Sequence, residues 1–237
     1  MTIKIKADAL KDFFVKATAD GLVTDAKLEF LATGLQMRHK DPAGIIYVAA
    51  FLSKTEFLDY SSPETTLEIP DTGVLLQVLK TFGDATIQIN REGNMAKIQS
   101  EDSSFDLTLG EKIECFKSGD IPKLEYTHSI ICKKSMMDNI IKAAKIVKTD
   151  SIQALNKEKQ FSFSIGKESN KAKVTCPTAI DEELKTLFDR NYFERVYNAL
   201  GLLFDLSIGG EMPSRFTEKS DKHNLLIYMS PISSMSE

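Results

Sequence analysis

The stretch Glu111–Thr127, EKIECFKSGDIPKLEYT, constrains the fold of this chain most. It lies near the middle of 237 residues and has no sustained apolar period of two or of 3.6. Gly119, Pro122 and alternating charges give it the pattern of a loop. The same order of elements reads on either side: a helix, several alternating strands, a second helix, more strands. A chain that repeats itself about a connector is expected to hold two copies of one fold. We therefore expect an α+β protein with tandem domains at 1–112 and 128–237, joined by a connector at 113–127. Each domain should pack two helices on antiparallel sheets.

Local patterns support that reading. Leu10, Phe13, Phe14 and Ala17 fall at helical spacing between Ala7 and Thr18, and Gly21 closes the segment. Strands follow around Leu28–Phe30 and Leu35–Met37, and Asp41-Pro42-Ala43-Gly44 is a turn. The nearly continuous apolar run Ile45–Leu52 is expected to be buried on both faces. Thr66–Ile69 is another strand, and Asp71 or Thr72 caps a second helix with the stripe Val74, Leu75, Val78, Leu79 and Phe82. Gly83 ends it, and strands follow over 85–90, 95–99 and 105–109. In the second half, Ser135 is the expected N-cap of a helix to Val147, with Met137, Ile140, Ile141, Ala144 and Val147 inward. Alternation marks Phe161–Ile165, Ala172–Cys176 and Phe204–Ile208 as strands. Asp189 opens a fourth helix through Leu200 with Tyr192, Phe193, Val196 and Leu200 on one face, and Leu225–Met229 is the last strand.

Chemistry-bearing motifs do not rise above this pattern. There is no GxxxxGK[ST] loop, no GxGxxG after a strand and no GxSxG elbow. His39, His128 and His223 lack acidic or cysteine neighbours at metal-ligand spacing and read as surface or strand-edge residues. Asp181-Glu182-Glu183 reads as a solvated acidic run. Cys115, Cys132 and Cys176 are odd in number and far apart, so neither a disulfide framework nor a zinc ribbon is expected. No signal-peptide pattern opens the chain, and no apolar run reaches the ~18 residues of a membrane span. The reading is a soluble, intracellular protein that is not an enzyme and needs no cofactor or metal. An unrelated α+β enzyme with a site assembled from distant residues is the competing reading.

The formal charge is −4, which argues against a protein that simply coats nucleic acid but leaves room for a basic face. Each expected helix carries cations beside its apolar stripe. Lys11 and Lys16 lie on the first, Lys80 on the second, and Arg190 and Arg195 on the fourth. Lys142, Lys145 and Lys148 form a drifting stripe on and just after the third. Ordinary solvated helices explain this pattern. The sharper alternative is that the four helices meet phosphates without reading sequence.

The order of these segments resembles the two-domain DNA sliding clamps, the proliferating-cell-nuclear-antigen (PCNA) family. The resemblance covers almost the whole chain. It rests on Ala9-Leu10-Lys11 with Phe13-Phe14, on Leu35-Gln36-Met37 through Val48, and on Phe51-Leu52 followed by Phe57 and Tyr60. Val74–Lys80 is similar to the family's helix ending in LK, and Asp120-Ile121-Pro122 with Tyr126 to its connector. The most specific match is Met212-Pro213 followed by Leu226-Ile227-Tyr228-Met229-Ser230-Pro231-Ile232. Departures are Ser230 in place of the usual alanine, the sequence Arg38-His39-Lys40-Asp41, and Asp12 beside Lys11.

The resemblance implies a clamp fold and a ring of three copies, joined head to tail, encircling double-stranded DNA without sequence preference. Lys11, Lys16, Lys80, Lys142, Lys145, Lys148, Arg190 and Arg195 would face DNA. The subunit joint would pair Ser104, Phe105, Asp106, Leu107 and Leu109 with Lys171, Lys173, Val174 and Cys176 of the next copy. DNA polymerase, a clamp loader and other replication and repair enzymes would dock short hydrophobic-aromatic peptides. Met37, Ile45, Ile121, Pro122, Leu124, Pro213, Tyr228, Ser230 and Pro231 would receive them. The protein would work in a nucleus if eukaryotic, or in the cytoplasm, nucleoid or host cell if archaeal or viral. A monomeric or heteromeric clamp-fold processivity subunit is the alternative.

Overall fold

The computed structural model describes residues 2–61, 64–114, 116, 124–126, 129–166, 171–178, 180, 182–208 and 210–232. The chain forms two compact units. The first comprises Met1–Ile121 with Lys219–Leu225, the second Pro122–Glu218 with Leu226–Glu237.

In the first unit the chain runs β1 (Thr2–Lys6), α1 (Ala7–Ala17), β2 (Ala26–Leu31), β3 (Gly34–Lys40), β4 (Ile46–Ser53), a 3₁₀ turn at Lys54–Glu56, β5 (Phe57–Tyr60), β6 (Thr65–Ile69), α2 (Thr72–Phe82), β7 (Thr86–Glu92), β8 (Met95–Gln99) and β9 (Ser104–Thr108). One antiparallel sheet has the order β5-β1-β7-β8-β9, and β6-β2-β3-β4 form another antiparallel array. Leu10 and Phe14 of α1 and Leu75 of α2 meet Leu28, Phe30, Leu67 and Ile69 from the second array. Ile89, Ala96, Ile98 and Leu107 come from the first. This is the unit's core, drawn from one stripe of each helix and alternate residues of each strand.

Helix ends follow local chemistry. The Asp71 carboxylate accepts the Val74 N–H at 3.0 Å and starts α2; Gly83, at φ +58°, ends it. Thr72 is buried at the first turn of α2, whereas Val74, expected in the stripe, is 40% exposed. The run into β4 is a correction. Its burial alternates strictly, so one face packs on the core and the other is half-covered. An antiparallel strand needs only one covered face, and apolar residues on the second face do not change that.

The second unit holds β10 (Ile130–Lys133), α3 (Lys134–Val147), β11 (Ser151–Lys157), β12 (Gln160–Ile165), β13 (Ala172–Pro177), β14 (Leu184–Asp189), α4 (Arg190–Ala199), β15 (Leu203–Ser207) and β16 (Ser214–Lys219); β17 (His223–Met229) closes the described elements. One sheet has the order β13-β12-β11-β14, and β10-β15-β16-β17 are neighbours in sequence of pairing. The core is aromatic. Phe193 of α4 lies 5.5 Å from Phe163, 5.3 Å from Phe188 and 6.3 Å from Phe216 between ring centroids. Such offset and edge-on pairs add to the burial of the rings themselves.

Asp189 caps α4, accepting the Asn191 and Tyr192 N–H groups at 2.8 and 3.1 Å. Ser135 is not the cap of α3. The helix starts at Lys134, one residue earlier, with no side-chain cap, and Lys148 ends it in the left-handed region at φ +54°. Val147 is only half-buried there. Four strands, β5, β11, β14 and β16, escaped the sequence reading. His39 is also a correction. It is 4% exposed inside β3, where its Nε2 accepts the Lys27 N–H at 2.8 Å, and burial lowers its pKa. His128, Cys115 and Asp181 lie outside the described residues.

Candidate nucleic-acid interface

All four helices bury an apolar stripe; their other faces carry mostly polar residues, with Val74 of α2 and Ile146 of α3 also exposed. Those faces carry the expected cations. Lys80 on α2, Lys142 on α3 and Lys148 at its end are exposed, and among the described residues they make no ion pair. Arg195 on α4 is exposed as well. Arg195 and the other cations are engaged. Lys11 lies 3.4 Å from Asp12, and Lys145 on α3 lies 2.6 Å from Glu194 on α4. Arg190 is half-buried and donates through Nη2 to Asn191 Oδ1 at 3.1 Å. Lys16 Nζ sits 2.8 Å from Nε2 of His223. A cation already facing a carboxylate gives up less to a phosphate than one facing water.

The second unit's helices are laced together by further polar contacts. Lys134 donates to the Asn198 and Leu200 carbonyls at 3.2 and 2.7 Å, where α4 ends, and its ammonium lies over the Tyr197 ring. The Tyr197 hydroxyl donates to Asp138 of α3. Burial first, then that carboxylate, raises the Tyr197 pKa to about 12. These cross-helix partners are far apart in the chain, so spacing carried no signal for them.

Of the residues expected to receive a partner peptide, Leu124, Pro213, Ser230 and Pro231 are half-exposed in the second unit. Tyr228 is 8% exposed. Tyr126 donates its hydroxyl to the Pro213 carbonyl, and the Arg215 guanidinium stacks 4.6 Å from its ring centroid. Burial, more than the neighbouring Tyr228, pushes the Tyr126 hydroxyl upward in pKa, and Arg215 opposes the rise. In the first unit, Ile45 is half-exposed beside a turn held by Asp41, whose carboxylate accepts the Ile46 and Ala43 N–H groups at 2.7 and 3.0 Å. A cleft of about 660 Å³ opens next to this turn, with Tyr47 and Phe116 edge to face at 5.4 Å. Met37 is a correction. At 1% exposed it lies within the core, where its place on the inward face of β3 puts it beneath any docking surface. Ile121 and Pro122 lie outside the described residues.

The expected joint strands are both sheet edges: β9 ends one sheet of the first unit and β13 ends one sheet of the second. Ser104, Phe105 and Asp106 are exposed, as are Lys171 and Lys173, and Val174 is half-exposed. Leu107 and Leu109 are corrections as side-chain contacts: they point into the core at 7% and 6% exposed. An edge strand can still offer its backbone at those positions. For Cys176 the structure gives the backbone register, opposite Phe161.

Each of the two α+β units carries two helices with cations on them and has a strand at the edge of one of its sheets. No protein-family model matches the chain. A DNA polymerase sliding clamp of Thermococcus onnurineus is 23% identical over 245 residues, covering 97% of each chain. The structure of A. fulgidus PCNA bound to the C-terminal region of FEN-1 superposes with a TM-score of 0.85 at 18% identity, covering 99% of each chain. A chain of the PCNA2–PCNA3 complex from Sulfolobus tokodaii gives 0.79 at 14% identity. Over nearly its whole length the chain is similar to DNA polymerase sliding clamps and shares the fold of PCNA structures. Among the described residues, no helix is long and apolar enough to cross a membrane.

Proposed function

We propose that this chain is a DNA sliding clamp: a ring that encloses duplex DNA and tethers DNA polymerase and other replication enzymes to it, without catalysis of its own. The observation that carries the reading is the presence of cations on all four helices, with Lys80, Lys142 and Lys148 exposed, in a chain whose net charge is −4. A ring is held on DNA by topology, so its phosphate contacts need only be weak and independent of sequence. Lys80, Lys142 and Lys148 are the foremost candidates for those contacts. Three copies join head to tail through β9 of one and β13 of the next, each completing the other's open sheet edge.

Partner peptides dock against Leu124, Pro213, Ser230 and Pro231, with Tyr228 below them, and Ile45 serves the same role in the first unit. The A. fulgidus PCNA was solved with the C-terminal region of FEN-1 bound. A second reading, a ring of non-identical subunits, has support in the likeness to the Sulfolobus tokodaii PCNA2–PCNA3 complex.

The test is primer extension by a clamp-dependent polymerase on circular template, with a clamp loader present. The expected outcome is long products that require this protein and that shorten when Lys80, Lys142 and Lys148 are all replaced by glutamate. Product length unaffected by the protein would overturn the reading.

A further inference from the structure

The second unit repeats the plan of the first with one strand fewer. In the first unit the strands pair in the orders β4-β3-β2-β6 and β5-β1-β7-β8-β9. In the second, β13-β12-β11-β14 repeat the former order, and β10-β15-β16-β17 take the places of β1, β7, β8 and β9. Among the described strands, none takes the place of β5. The reason is length. Residues 54–64 link β4 to β6 and hold the 3₁₀ turn and β5, whereas only the six residues 178–183 link β13 to β14. That short link is also committed to its own sheet. The buried Asn156 of β11 donates to the Ile180 and Glu182 carbonyls at 3.1 and 2.6 Å, and the Thr178 N–H reaches the Lys159 carbonyl at 3.0 Å.

Strand β10 is therefore left with an open side. The Lys134 N–H donates to the Leu202 carbonyl at 2.9 Å, in the register that pairs Cys132 with Phe204 and Ile130 with Leu206. Backbone groups of an antiparallel strand alternate in direction, so Ile130 and Cys132 turn theirs to β15 and Ile131 and Lys133 turn theirs to the open side. The side chains beside that edge are apolar or cationic. Ile131 is 72% exposed, and Leu202 and Leu203 at the start of β15 are exposed with it. Lys133 is exposed and, among the described residues, makes no ion pair. In the first unit the same side of β1 is filled. There β5 runs antiparallel, sets Phe57 and Tyr60 opposite the buried Ile5 and Ile3, and sets Asp59 opposite Lys4. Counted back from the helix starts, Ile131 stands where Lys4 does, and the unpaired lysine of β10 lies two residues later.

We propose that the open side of β10 is a docking edge for an extended segment of another protein, antiparallel to β10, that reads acid–apolar–apolar–apolar against Lys133, Cys132, Ile131 and Ile130. Its backbone takes up the free groups of Ile131 and Lys133. Its acid meets Lys133, its third residue covers Ile131, and its second and fourth stand where Phe57 and Tyr60 stand in the first unit.

The probe is the end-blocked hexapeptide Thr-Glu-Val-Val-Val-Thr, and the readout is amide hydrogen exchange of the intact protein, residue by residue. In the free protein the Ile131 and Lys133 amides should exchange faster than those of Ile130 and Cys132. With peptide at about nine times its dissociation constant they should slow about tenfold. Lys133→Glu, checked for folding by circular dichroism, should weaken binding by about fivefold, and a peptide with lysine in place of glutamate should bind that variant better than wild type. No slowing at millimolar peptide would overturn the inference, as would equal binding of both peptides to wild type. Slow Ile131 and Lys133 amides in the free protein would overturn it too, because the edge would already be filled. A lower mass for Ile131→Lys in light scattering would then identify the occupant as a second copy of this chain. The β10 edge is separate from β9 and β13, so each of these outcomes leaves the clamp reading standing.

Discussion

At the scale of the residue, environment outweighs identity. Tyr60 donates its hydroxyl to the Leu31 carbonyl at 2.7 Å, and burial raises its pKa to about 12 against that hydrogen bond. Its ordinary value is about 10. A phenol whose folded pKa is raised contributes stability that is complete below pH ~10 and is lost as the pH climbs through ~12. Thermal melts between pH 9 and 12 should therefore be level to about pH 10 and then fall. Tyr60→Phe should flatten part of that fall, and an identical profile in the variant would contradict the assignment. His39 and Met37 carry the same lesson in reverse. Both read as surface or docking residues from their neighbours in sequence, yet both face inward from β3. The alternation of that strand was legible; its phase at each residue depended on which face met the core.

At the scale of the element, caps and cross-helix pairs set the energies. Removing the α2 cap by Asp71→Ala should cost about 1 kcal/mol, read as a lower denaturation midpoint at unchanged m-value. That cap was visible in the sequence as an acid just before an apolar stripe. The start of α3 was not. Ser135 has the right chemistry, but the strand β10 runs straight into the helix at Lys134, and pairing with β15 fixes where the strand ends. The α3 stripe also divides in a way that spacing did not show. Lys142 faces solvent, whereas Lys145 faces Glu194 of α4. Lys142→Ala should accordingly reduce the salt slope of duplex binding by more than Lys145→Ala does. The reverse order would mean that Glu194 yields its partner to DNA at little cost.

At the scale of the whole molecule, the open strand edges matter most. Phe105 is 40% exposed on edge strand β9 and contributes little to the core of its own unit. Phe105→Asp should leave the monomer folded, with an unchanged circular dichroism spectrum. In light scattering at low micromolar concentration it should lower the mass from about three times 26.5 kDa to one. A wild-type mass of one chain would instead favour assembly only with other subunits or on DNA. Among the long-range features, the four helices were legible because each carries its own 3.6-residue stripe. The missed strands β5, β11, β14 and β16 are short or lie among polar residues, and their pairing partners supply what their own sequences lack.

What the sequence determined by itself was whatever has a local period: the α+β class, four amphipathic helices, most of the strands, and at least one cation on each helix. Order of segments added the resemblance to clamps. Only the tertiary structure decided which cations are engaged. Glu194 reaches Lys145, and His223 reaches Lys16, across separations of 49 and 207 residues. Periodicity places a side chain on a face of its own element. The charge it meets there is set by another element, and that depends on how the chain folds back.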